Sequence, residues 1–240
     1  MSANFRQQQI LGLLEQQGAV SVRTLTDILY VSEATVRRDL VELERQGALK
    51  RTFGGAVALG GTQRQVPLFI RESLDSAAKS ELCRRAAALV EDGDTIFVDG
   101  SSTAQHLAKY LGGLRDILVI TYSLKTAQLM CEQHIKTYCT GGLLMENSLV
   151  CTGPDSIAFV ERCNPDICIL SCKGLSADGK FTDTSEEETA LRRVALKNSR
   201  KRVMLMTQNK LNTTYFHTVC HASEVDHIFT DGTLPEGLKT

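Results

Sequence analysis

The sequence lacks a strong net charge, a close cysteine pair and any long apolar run. Its 27 Lys and Arg residues against 28 Asp and Glu residues exclude a uniformly basic surface, so any contact with nucleic acid must be local. None of the 8 cysteines forms a Cys-x-x-Cys pair, and most lie in apolar runs, which indicates small core residues of a reduced protein. No apolar run approaches membrane-spanning length, and residues 1–9 contain no apolar signal core. We therefore expect a cytoplasmic protein with no membrane partner.

The length of 240 residues fits one small domain followed by one of medium size. Residues 59–67 (LGGTQRQVP) are glycine-rich and polar and end in proline, which is typical of a linker. The sequence therefore predicts a first domain over residues 1–58, a linker over 59–74 and a second domain over 75–240.

Two short helices joined by a tight turn are predicted within residues 20–43. Ser21 and Ser32 can each cap a helix, because a serine hydroxyl accepts a hydrogen bond from an otherwise unpaired backbone N–H. Tyr30 and Val31 form the turn between the helices. The second helix carries an apolar stripe at i, i+4 and i+7, made by Val36, Leu40 and Leu43.

The face opposite this stripe is cationic. At about 100° per residue, Arg38 and Arg45 lie opposite the stripe and Arg37 lies on its flank, whereas Asp39 is expected to pair internally with an arginine. The next segment predicts a two-stranded wing that turns at Gly54–Gly55. This winged helix-turn-helix would place its second helix in the major groove of double-stranded DNA. The predicted DNA-binding residues are Ser32, Glu33, Ala34, Thr35, Arg37, Arg38, Arg45, Lys50 and Arg51.

Short β-branched runs alternate with helical segments in the second domain. The runs cover residues 95–99, 117–121, 136–140, 167–170, 202–206 and 226–230. This alternation predicts an α/β layered domain with a largely parallel sheet. A helical pattern over residues 68–90 precedes the first run, with its inward residues expected at Leu74, Leu82, Ala86 and Leu89.

The turn after the first of these strands has the composition of an anion site. The strand ends at Asp99, Gly100 permits a close backbone approach, and Ser101, Ser102 and Thr103 open a helix. Free N–H groups, the positive end of a helix and three hydroxyls can hold an anion. Neither a Walker lysine nor a GxGxxG pattern accompanies the turn, which favours a small phosphorylated metabolite over a nucleotide. An ordinary capped strand–helix turn is the alternative interpretation.

Two further strand ends could border the same pocket. Thr121 and Ser123 follow the second strand, and Gly141 and Gly142 follow the third. Ligands bind at the carboxyl ends of parallel strands, although each segment could equally be ordinary loop structure.

The N-terminal motif resembles that of the DeoR/GlpR family of bacterial transcriptional regulators. The matching positions are Arg6, Ile10, Leu11, Leu25, Val31, Ser32, Thr35 to Leu40, Leu43, Glu44, Gly47 and Gly54 to Ala56. The resemblance extends more loosely to about residue 231, where it implies a sugar-phosphate sensor related in fold to ribose-5-phosphate isomerase. Basic residues at the positions of Arg71, Lys79 and Lys210 are implied to take part in the response to the inducer.

The second domain also departs from the family pattern. Ser171-Cys172-Lys173-Gly174 stands where many members have Gly-Ala-Asp-Gly, and Thr207 replaces another aspartate. Lys173 therefore puts a cation where a carboxylate is usual, which suggests a different or more anionic ligand. The predicted effector-binding residues are Arg71, Lys79, Asp99, Gly100, Ser101, Ser102, Thr103, Thr121, Ser123, Gly141, Gly142, Lys173 and Lys210.

An isomerase-like enzyme and a metal sensor are the alternatives. Asp183 and residues 186–188 could supply a catalytic base, but acidic residues at a helix start also complement the helix dipole. A zinc site would combine His217, Cys220 and His221 with Cys168 or Cys172, but this spacing matches no common zinc module. We therefore expect no catalysis, no metal and no cofactor.

Together these features predict a transcriptional regulator of a carbohydrate-catabolism operon, controlled by a phosphorylated sugar. Repression relieved by the ligand is the expected output, and activation is the alternative. Symmetric operators require paired recognition helices, so we expect a homo-oligomer, either a dimer or a tetramer.

Overall fold

A computed structural model describes residues 3–58, 68–146 and 148–238 of the chain. The chain divides into two compact units, Met1–Leu74 and Asp75–Thr240. The segment 59–67, which we predicted as linker, lies outside the described residues, whereas residues 68–73 of the predicted linker are helical. Within the described residues, no helix is both long enough and apolar enough to cross a membrane.

The first unit combines helices with a small antiparallel sheet. Its helices are α1 (Ala3–Gln17), α2 (Val22–Leu29), α3 (Glu33–Arg45) and α4 (Leu68–Ser73), and its strands are β1 (Ala19–Ser21), β2 (Leu49–Thr52) and β3 (Gly55–Ala58). The strand order is β1-β3-β2. The predicted winged helix-turn-helix is confirmed.

Capping hydroxyls define the starts of α2 and α3. The Oγ atoms of Ser21 and Ser32 accept hydrogen bonds from the backbone N–H groups three residues later, at 3.0 Å and 3.3 Å. Between the helices, Tyr30 takes the left-handed conformation (φ 53°), which ends α2. The predicted apolar stripe of α3 is buried, and it packs in the core of this unit.

The wing turns one residue earlier than predicted. Gly55 is already part of β3, where it pairs with Thr52 of β2 and with Ser21 of β1. A Cβ atom at Gly55 would lie 2.1 Å from the carbonyl oxygen of Val20, so β1 can approach β3 only because residue 55 is glycine. The sequence analysis did not predict β1, since a three-residue strand has too little periodicity to be recognised.

The second unit is built on a six-stranded parallel sheet. Its strands are β4 (Thr95–Val98), β5 (Leu118–Thr121), β6 (Lys136–Cys139), β9 (Ile167–Leu170), β12 (Lys201–Met206) and β14 (His227–Thr230), in the order β14-β12-β9-β4-β5-β6. All six correspond to predicted runs. The helices are α5 (Ser76–Ala87), α6 (Ala108–Leu111), α7 (Leu124–Glu132), α8 (Pro154–Glu161) and α9 (Glu186–Asn198).

Shorter antiparallel strands complete this unit and were not predicted. The strands β10 (Gly174–Leu175), β11 (Lys180–Asp183) and β13 (His217–His221) form one small sheet, and β7 (Leu143–Met145) and β8 (Val150–Thr152) form a hairpin. Successive residues of the parallel strands alternate between two buried clusters, one packed with α5 and α7 and the other with α8 and α9. The sheet is therefore covered on both faces, and its carboxyl ends are left to form a site.

The helix predicted over residues 68–90 is interrupted. Helix α4 ends at Ser73 and α5 begins at Ser76, with Asp75 between them in the left-handed conformation (φ 53°). Leu74 was expected to face inward, but 37% of its surface is exposed, because it lies in this break. Leu82 and Ala86 are buried as predicted.

Candidate DNA-binding and effector sites

The cationic face of α3 is exposed along its length. Of the residues predicted on it, Glu33, Ala34, Arg37, Arg38 and Arg45 are exposed and Thr35 is half-buried. Arg37 pairs with Glu33 at 3.2 Å, and Arg45 pairs with Glu42 at 2.9 Å. Among the described residues Arg38 makes no ion pair, so DNA can be bound by this guanidinium without first breaking one.

The packing of α3 also depends on the carboxylate of Asp39. Nε of Arg6 donates to Oδ2 of Asp39 at 2.5 Å, and both side chains are largely buried. This confirms the prediction that Asp39 pairs internally. The pair joins α1 to α3 and leaves the neighbouring Arg38 on the outside.

The wing presents two cations and an aromatic residue. Lys50 and Arg51 are exposed on β2, and Arg51 pairs with Glu44 at 2.6 Å. Phe53, at the tip of the wing, is fully exposed, and Tyr30, in the turn before α3, is 91% exposed. The sequence analysis treated Tyr30 as a turn residue and passed over Phe53. Tyr30 and Phe53 are large aromatic residues whose side chains are exposed, so we add both to the candidate DNA-contacting surface.

The candidate anion cradle, residues 99–103, joins β4 to a short 3₁₀ helix, Ala104–Leu107. Oγ of Ser101 accepts a hydrogen bond from the N–H of Ala104, the first residue of this helix, at 3.0 Å. Asp99, Ser102 and Thr103 are buried as well. The cradle hydroxyls therefore line the interior of the domain at the carboxyl end of β4.

Two lysines, distant in sequence, reach the cradle. Nζ of Lys79, a side chain that is buried on α5, donates to Oγ of Ser102 at 3.3 Å. Nζ of Lys210 donates to Oγ1 of Thr103 at 3.3 Å and to Oγ of Ser171 at 2.7 Å. The structure thus brings together two positive charges and three hydroxyl groups, the composition of a phosphate site. Of these residues, Ser171 was noted only as a departure from the family pattern.

Asp99 does not present a free carboxylate to the cradle. Its Oδ1 accepts from the N–H of Ser101 at 3.1 Å, and its Oδ2 accepts from the N–H of Ser171 at 3.0 Å and from Nε of Arg192 at 2.9 Å. Asp99 is one of the residues predicted to bind the effector. Its contacts show that its carboxylate shapes the loop, and its negative charge faces a guanidinium.

Arg192, on α9, is the principal residue that the sequence analysis missed. It is buried and also donates to Asp183 at 3.1 Å and to Glu188 at 3.0 Å. Burial acts to lower the pKa of Arg192, but Tyr122 and the three carboxylates raise it well above its usual value. For Asp183, burial acts to raise the pKa, but the charges of Arg192 and Lys173 outweigh burial and lower it.

The other predicted strand-end residues are engaged in local structure. Oγ1 of Thr121 accepts from the N–H of Ser123, whose own Oγ caps α7 by accepting from the N–H of Thr126 at 3.2 Å. Gly141 and Gly142 take positive φ values of 71° and 107°. These contacts favour the loop interpretation that the sequence had left open.

Position 100 has no room for a side chain, and the atoms that would clash with one belong to the protein itself. A Cβ atom there would lie 2.5 Å from Cγ1 of Val150 and 3.0 Å from Cε2 of Tyr122. The cradle therefore packs directly against β8, the inner strand of the hairpin.

The other predicted effector residues are Lys173 and Arg71, and Thr207 is one of the departures from the family pattern. Nζ of Lys173 donates to Oγ1 of Thr184. Arg71 lies on α4 in the first unit, half-buried. Oγ1 of Thr207 donates to Oδ1 of Asn209 at 2.7 Å, and Thr207 is buried.

His106 occupies the 3₁₀ helix beyond the cradle. Only 7% of its surface is exposed, and neither ring nitrogen has a hydrogen-bond partner among the described residues. Burial, together with the positive charges of Lys109 and Lys79, lowers the pKa of His106 to about 4. The imidazole is therefore neutral at physiological pH.

The residues considered for a metal do not converge. No group of three or more His, Cys, Asp or Glu side chains within the described ranges could hold a metal ion. Burial raises the pKa of Cys172 to about 12 and that of Cys168 to about 11, so both thiols are protonated. The acidic residues considered for catalysis lie in or before the first turn of α9, where Asp183 and Glu188 bind Arg192.

Comparison with known proteins assigns both units. Residues 6–61 match the DeoR-like helix-turn-helix domain, and residues 74–232 match the DeoR C-terminal sensor domain. The chain belongs to the DeoR family. It is therefore a DNA-binding transcriptional regulator and not an enzyme.

Relatives of this DeoR-family regulator match over nearly their full length. The HTH-type transcriptional regulator GolR of Listeria innocua is 34% identical, over 97% of this chain and 92% of the relative. The L-fucose operon activator of Haemophilus influenzae is 28% identical, over 98% of this chain and 95% of the relative. The glycerol-3-phosphate regulon repressor of Escherichia coli is also 28% identical, over 98% of this chain and 93% of the relative.

Solved structures show likeness in fold. The eIF2B-beta2-delta2 complex of C. thermophilum aligns with a TM-score of 0.50 at 13% identity, over 67% of this chain and 57% of that one. A D-ribose-5-phosphate isomerase in complex with phospho-erythronic acid aligns with a TM-score of 0.44 at 14% identity, over 57% of this chain and 54% of that one.

Proposed function

We propose that this DeoR-family regulator acts in the cytoplasm as a repressor of a carbohydrate-catabolism operon, and that it binds a phosphorylated sugar in the cradle of residues 99–103. The observation that carries the proposal is the convergence of Lys79 and Lys210 on the hydroxyls of this one loop. Two ammonium groups and several hydroxyls can together surround the oxygens of a phosphate.

The surrounding charges support an anionic ligand. The carboxylate of Asp99, the nearest acidic group in the loop, is engaged with Arg192 and with two backbone N–H groups. The lysine charges therefore dominate the field at the cradle hydroxyls. A phosphate bound there would replace the lysine–hydroxyl hydrogen bonds, in which only the donor is charged, by hydrogen bonds in which donor and acceptor are both charged.

The ligand would act by shifting an equilibrium between two arrangements of the regulator. It can change the affinity for operator DNA only as far as it binds one arrangement more tightly than the other. Relief of repression is the output that we propose, and the named glycerol-3-phosphate regulon repressor supports it. The named L-fucose operon activator makes activation the alternative, which a reporter gene under the operator would distinguish.

Lys173 would tune the choice of ligand. It lies two residues after Ser171, which Lys210 contacts, and its positive charge acts on the buried Asp183. We propose that Lys173 favours a more strongly anionic sugar than regulators with aspartate at this position. Titration of Lys173→Asp against a panel of sugar phosphates tests this, and unchanged selectivity would contradict it.

Thermal unfolding in the presence of phosphorylated sugars tests the effector class. A ligand at 100 times its dissociation constant adds about 2.7 kcal/mol, which raises the melting temperature by several degrees. We expect one or a few phosphorylated sugars to stabilise the wild-type chain and their unphosphorylated parents to have no effect. The matched variant Lys210→Met should lose the response. The proposal would be contradicted if no phosphorylated sugar in the panel raised the melting temperature, or if the parent sugars raised it equally.

A further inference from the structure

The imidazole of His106 is buried without being paired. Only 7% of the residue is exposed, and among the described residues neither Nδ1 nor Nε2 has a hydrogen-bond partner. A buried polar atom without a partner destabilises the folded chain, and native structures rarely keep one. The hydroxyls of the adjacent cradle, at Ser101, Ser102 and Thr103, all have partners. His106 is therefore an exception that the folding of the unit does not explain.

His106 lies in a segment that packs along the first turns of α5. Before it in the chain, Oγ of Ser102 accepts a hydrogen bond from Nζ of Lys79 at 3.3 Å. After it, the hydroxyl of Tyr110 lies 2.7 Å from Oγ of Ser80. Lys79 and Ser80 are consecutive residues of α5, so His106 sits between two contacts with the same part of this helix. The imidazole is thus close to the lysine that reaches the cradle.

The surroundings of His106 keep its ring neutral. Burial lowers the pKa of His106 to about 4, and the positive charges of Lys109 on α6 and Lys79 on α5 act in the same direction. A neutral imidazole has one N–H donor and one acceptor nitrogen. It does not add a positive charge to the cradle, but it can exchange two hydrogen bonds with uncharged polar groups.

We propose that His106 binds hydroxyl groups of the sugar and so determines which phosphorylated sugar the regulator recognises. This inference rests on the proposed function, because it places the sugar beside a phosphate held by Lys79 and Lys210. Sugar hydroxyls both donate and accept hydrogen bonds, so they can satisfy both ring nitrogens. A phosphate dianion only accepts, so it would leave the acceptor nitrogen unpaired.

The burial of His106 makes such a contact selective. A site that hydrogen-bonds a ligand hydroxyl discriminates strongly against a ligand that lacks it, because the buried polar group of the protein is then left unpaired. The two lysines, by contrast, contact a phosphate group that every phosphorylated sugar shares with inorganic phosphate. Lys79 and Lys210 therefore supply affinity for the phosphate, and His106 distinguishes the sugar attached to it.

Thermal unfolding of His106→Leu without ligand gives the first test. The variant replaces an unpaired polar ring by an apolar side chain, so at about pH 8, where the ring is neutral in both the folded and the unfolded chain, its melting temperature should equal or exceed that of the wild type. A melting temperature several degrees below the wild type would show that the unliganded protein already satisfies the imidazole, and would overturn the inference.

Isothermal titration calorimetry of the full-length chain compares inorganic phosphate with glucose-6-phosphate, fructose-1-phosphate and ribose-5-phosphate. We expect the wild type to bind one of these sugars about 100-fold more tightly than inorganic phosphate. His106→Leu should bind inorganic phosphate as the wild type does but lose about tenfold or more of this preference. His106→Gln, which keeps a donor and an acceptor, should retain most of it. The matched control is His227→Leu, since His227 begins β14 at the amino end of the sheet and should not affect the preference.

The outcomes separate this inference from the proposed function. If His106→Leu keeps the wild-type preference, or if the wild type binds inorganic phosphate as tightly as every sugar phosphate, the role of His106 is overturned and the phosphate cradle stands. If His106→Leu folds but no longer binds inorganic phosphate, His106 supports the cradle itself and the assignment to the sugar is wrong. If the wild type binds none of the four compounds, the proposed function is contradicted and this inference fails with it.

Discussion

Arg192 and Asp99 form a buried ion pair in which Nε of the guanidinium lies 2.9 Å from Oδ2 of the carboxylate. Asp99 is the first residue of the cradle, directly after β4, and Arg192 lies 93 residues later on α9. Since the same guanidinium also binds Asp183 and Glu188, it connects the cradle to β11 and α9. The shape of the cradle therefore depends on residues outside it.

Replacing Arg192 should destabilise the sensor unit strongly. Arg192→Leu leaves three carboxylates without their shared partner, and breaking a buried pair in this way costs about 3–5 kcal/mol. Urea unfolding of the full-length chain measures the loss. The control Arg200→Leu removes an ion pair whose arginine is 85% exposed, so it should change the free energy of unfolding by less than about 1 kcal/mol. Similar losses in both variants would contradict this account of the network.

Arg38→Ala should weaken operator binding. If Arg38 binds a guanine edge, its loss costs about 1–3 kcal/mol and relaxes specificity at one base pair. If it binds a phosphate, the affinity falls for every DNA sequence. The slope of log affinity against log salt concentration then becomes less negative by about 1. Fluorescence anisotropy at several salt concentrations separates the two cases. Arg84→Ala is the matched control, since Arg84 is an exposed arginine on α5 of the sensor unit. Wild-type binding by Arg38→Ala would contradict the docking of α3.

The two adjacent wing glycines should differ sharply in their tolerance of alanine. A Cβ atom at residue 55 would lie 2.1 Å from the Val20 carbonyl oxygen, whereas one at residue 54 would have no neighbour within 4 Å. Gly55→Ala should therefore lower the free energy of unfolding by about 1–3 kcal/mol, as overpacking does. Gly54→Ala should change it by less than about 1 kcal/mol. Denaturant unfolding compares the two variants, and equal stability would show that β1 does not approach β3 as closely as described.

His106 should make the stability of the sensor unit depend on pH. Its pKa is about 4 in the folded chain, against about 6.5 in an unfolded one. The unfolded state therefore binds the proton more readily, so stability is full above pH 6.5 and declines as the pH falls towards 4, by at most about 1.4 kcal/mol per pH unit. Unfolding of the wild type and of His106→Leu at pH 5.0 and 8.0 checks this, because the variant should have a shallower pH dependence. An identical pH dependence would contradict it.

Local chemistry made much of the fold predictable. The starts of α2 and α3 could be predicted from Ser21 and Ser32. Helix capping needs only a hydroxyl group and a backbone N–H three residues later. The four central parallel strands, β4, β5, β9 and β12, were recognisable because strands covered on both faces are largely continuous apolar runs. The hairpin β7–β8 was not, since its outer strand is exposed and its inner strand buried, and neither shows alternation.

The candidate effector site was predictable only in part. The cradle is a local motif, but a role for Lys79 and Lys210 was implied only by the resemblance, and their contacts with the cradle hydroxyls come from the structure. Arg192 looked like one more charged residue on an amphipathic helix, because the carboxylate that it binds lies 93 residues away. Contacts of that kind are set by the tertiary fold, which no local pattern encodes.

The most direct test of the central claim is the affinity of the full-length chain for its operator, measured by fluorescence anisotropy as a phosphorylated sugar is added. We expect the wild-type affinity to change at least tenfold with the phosphorylated sugar and to stay constant with its unphosphorylated parent. The variant Ser101→Ala/Ser102→Ala/Thr103→Ala should fold but lose this response. Two results would contradict the assignment of the cradle as the effector site. One is an operator affinity that no phosphorylated sugar changes, and the other is a variant that responds like the wild type.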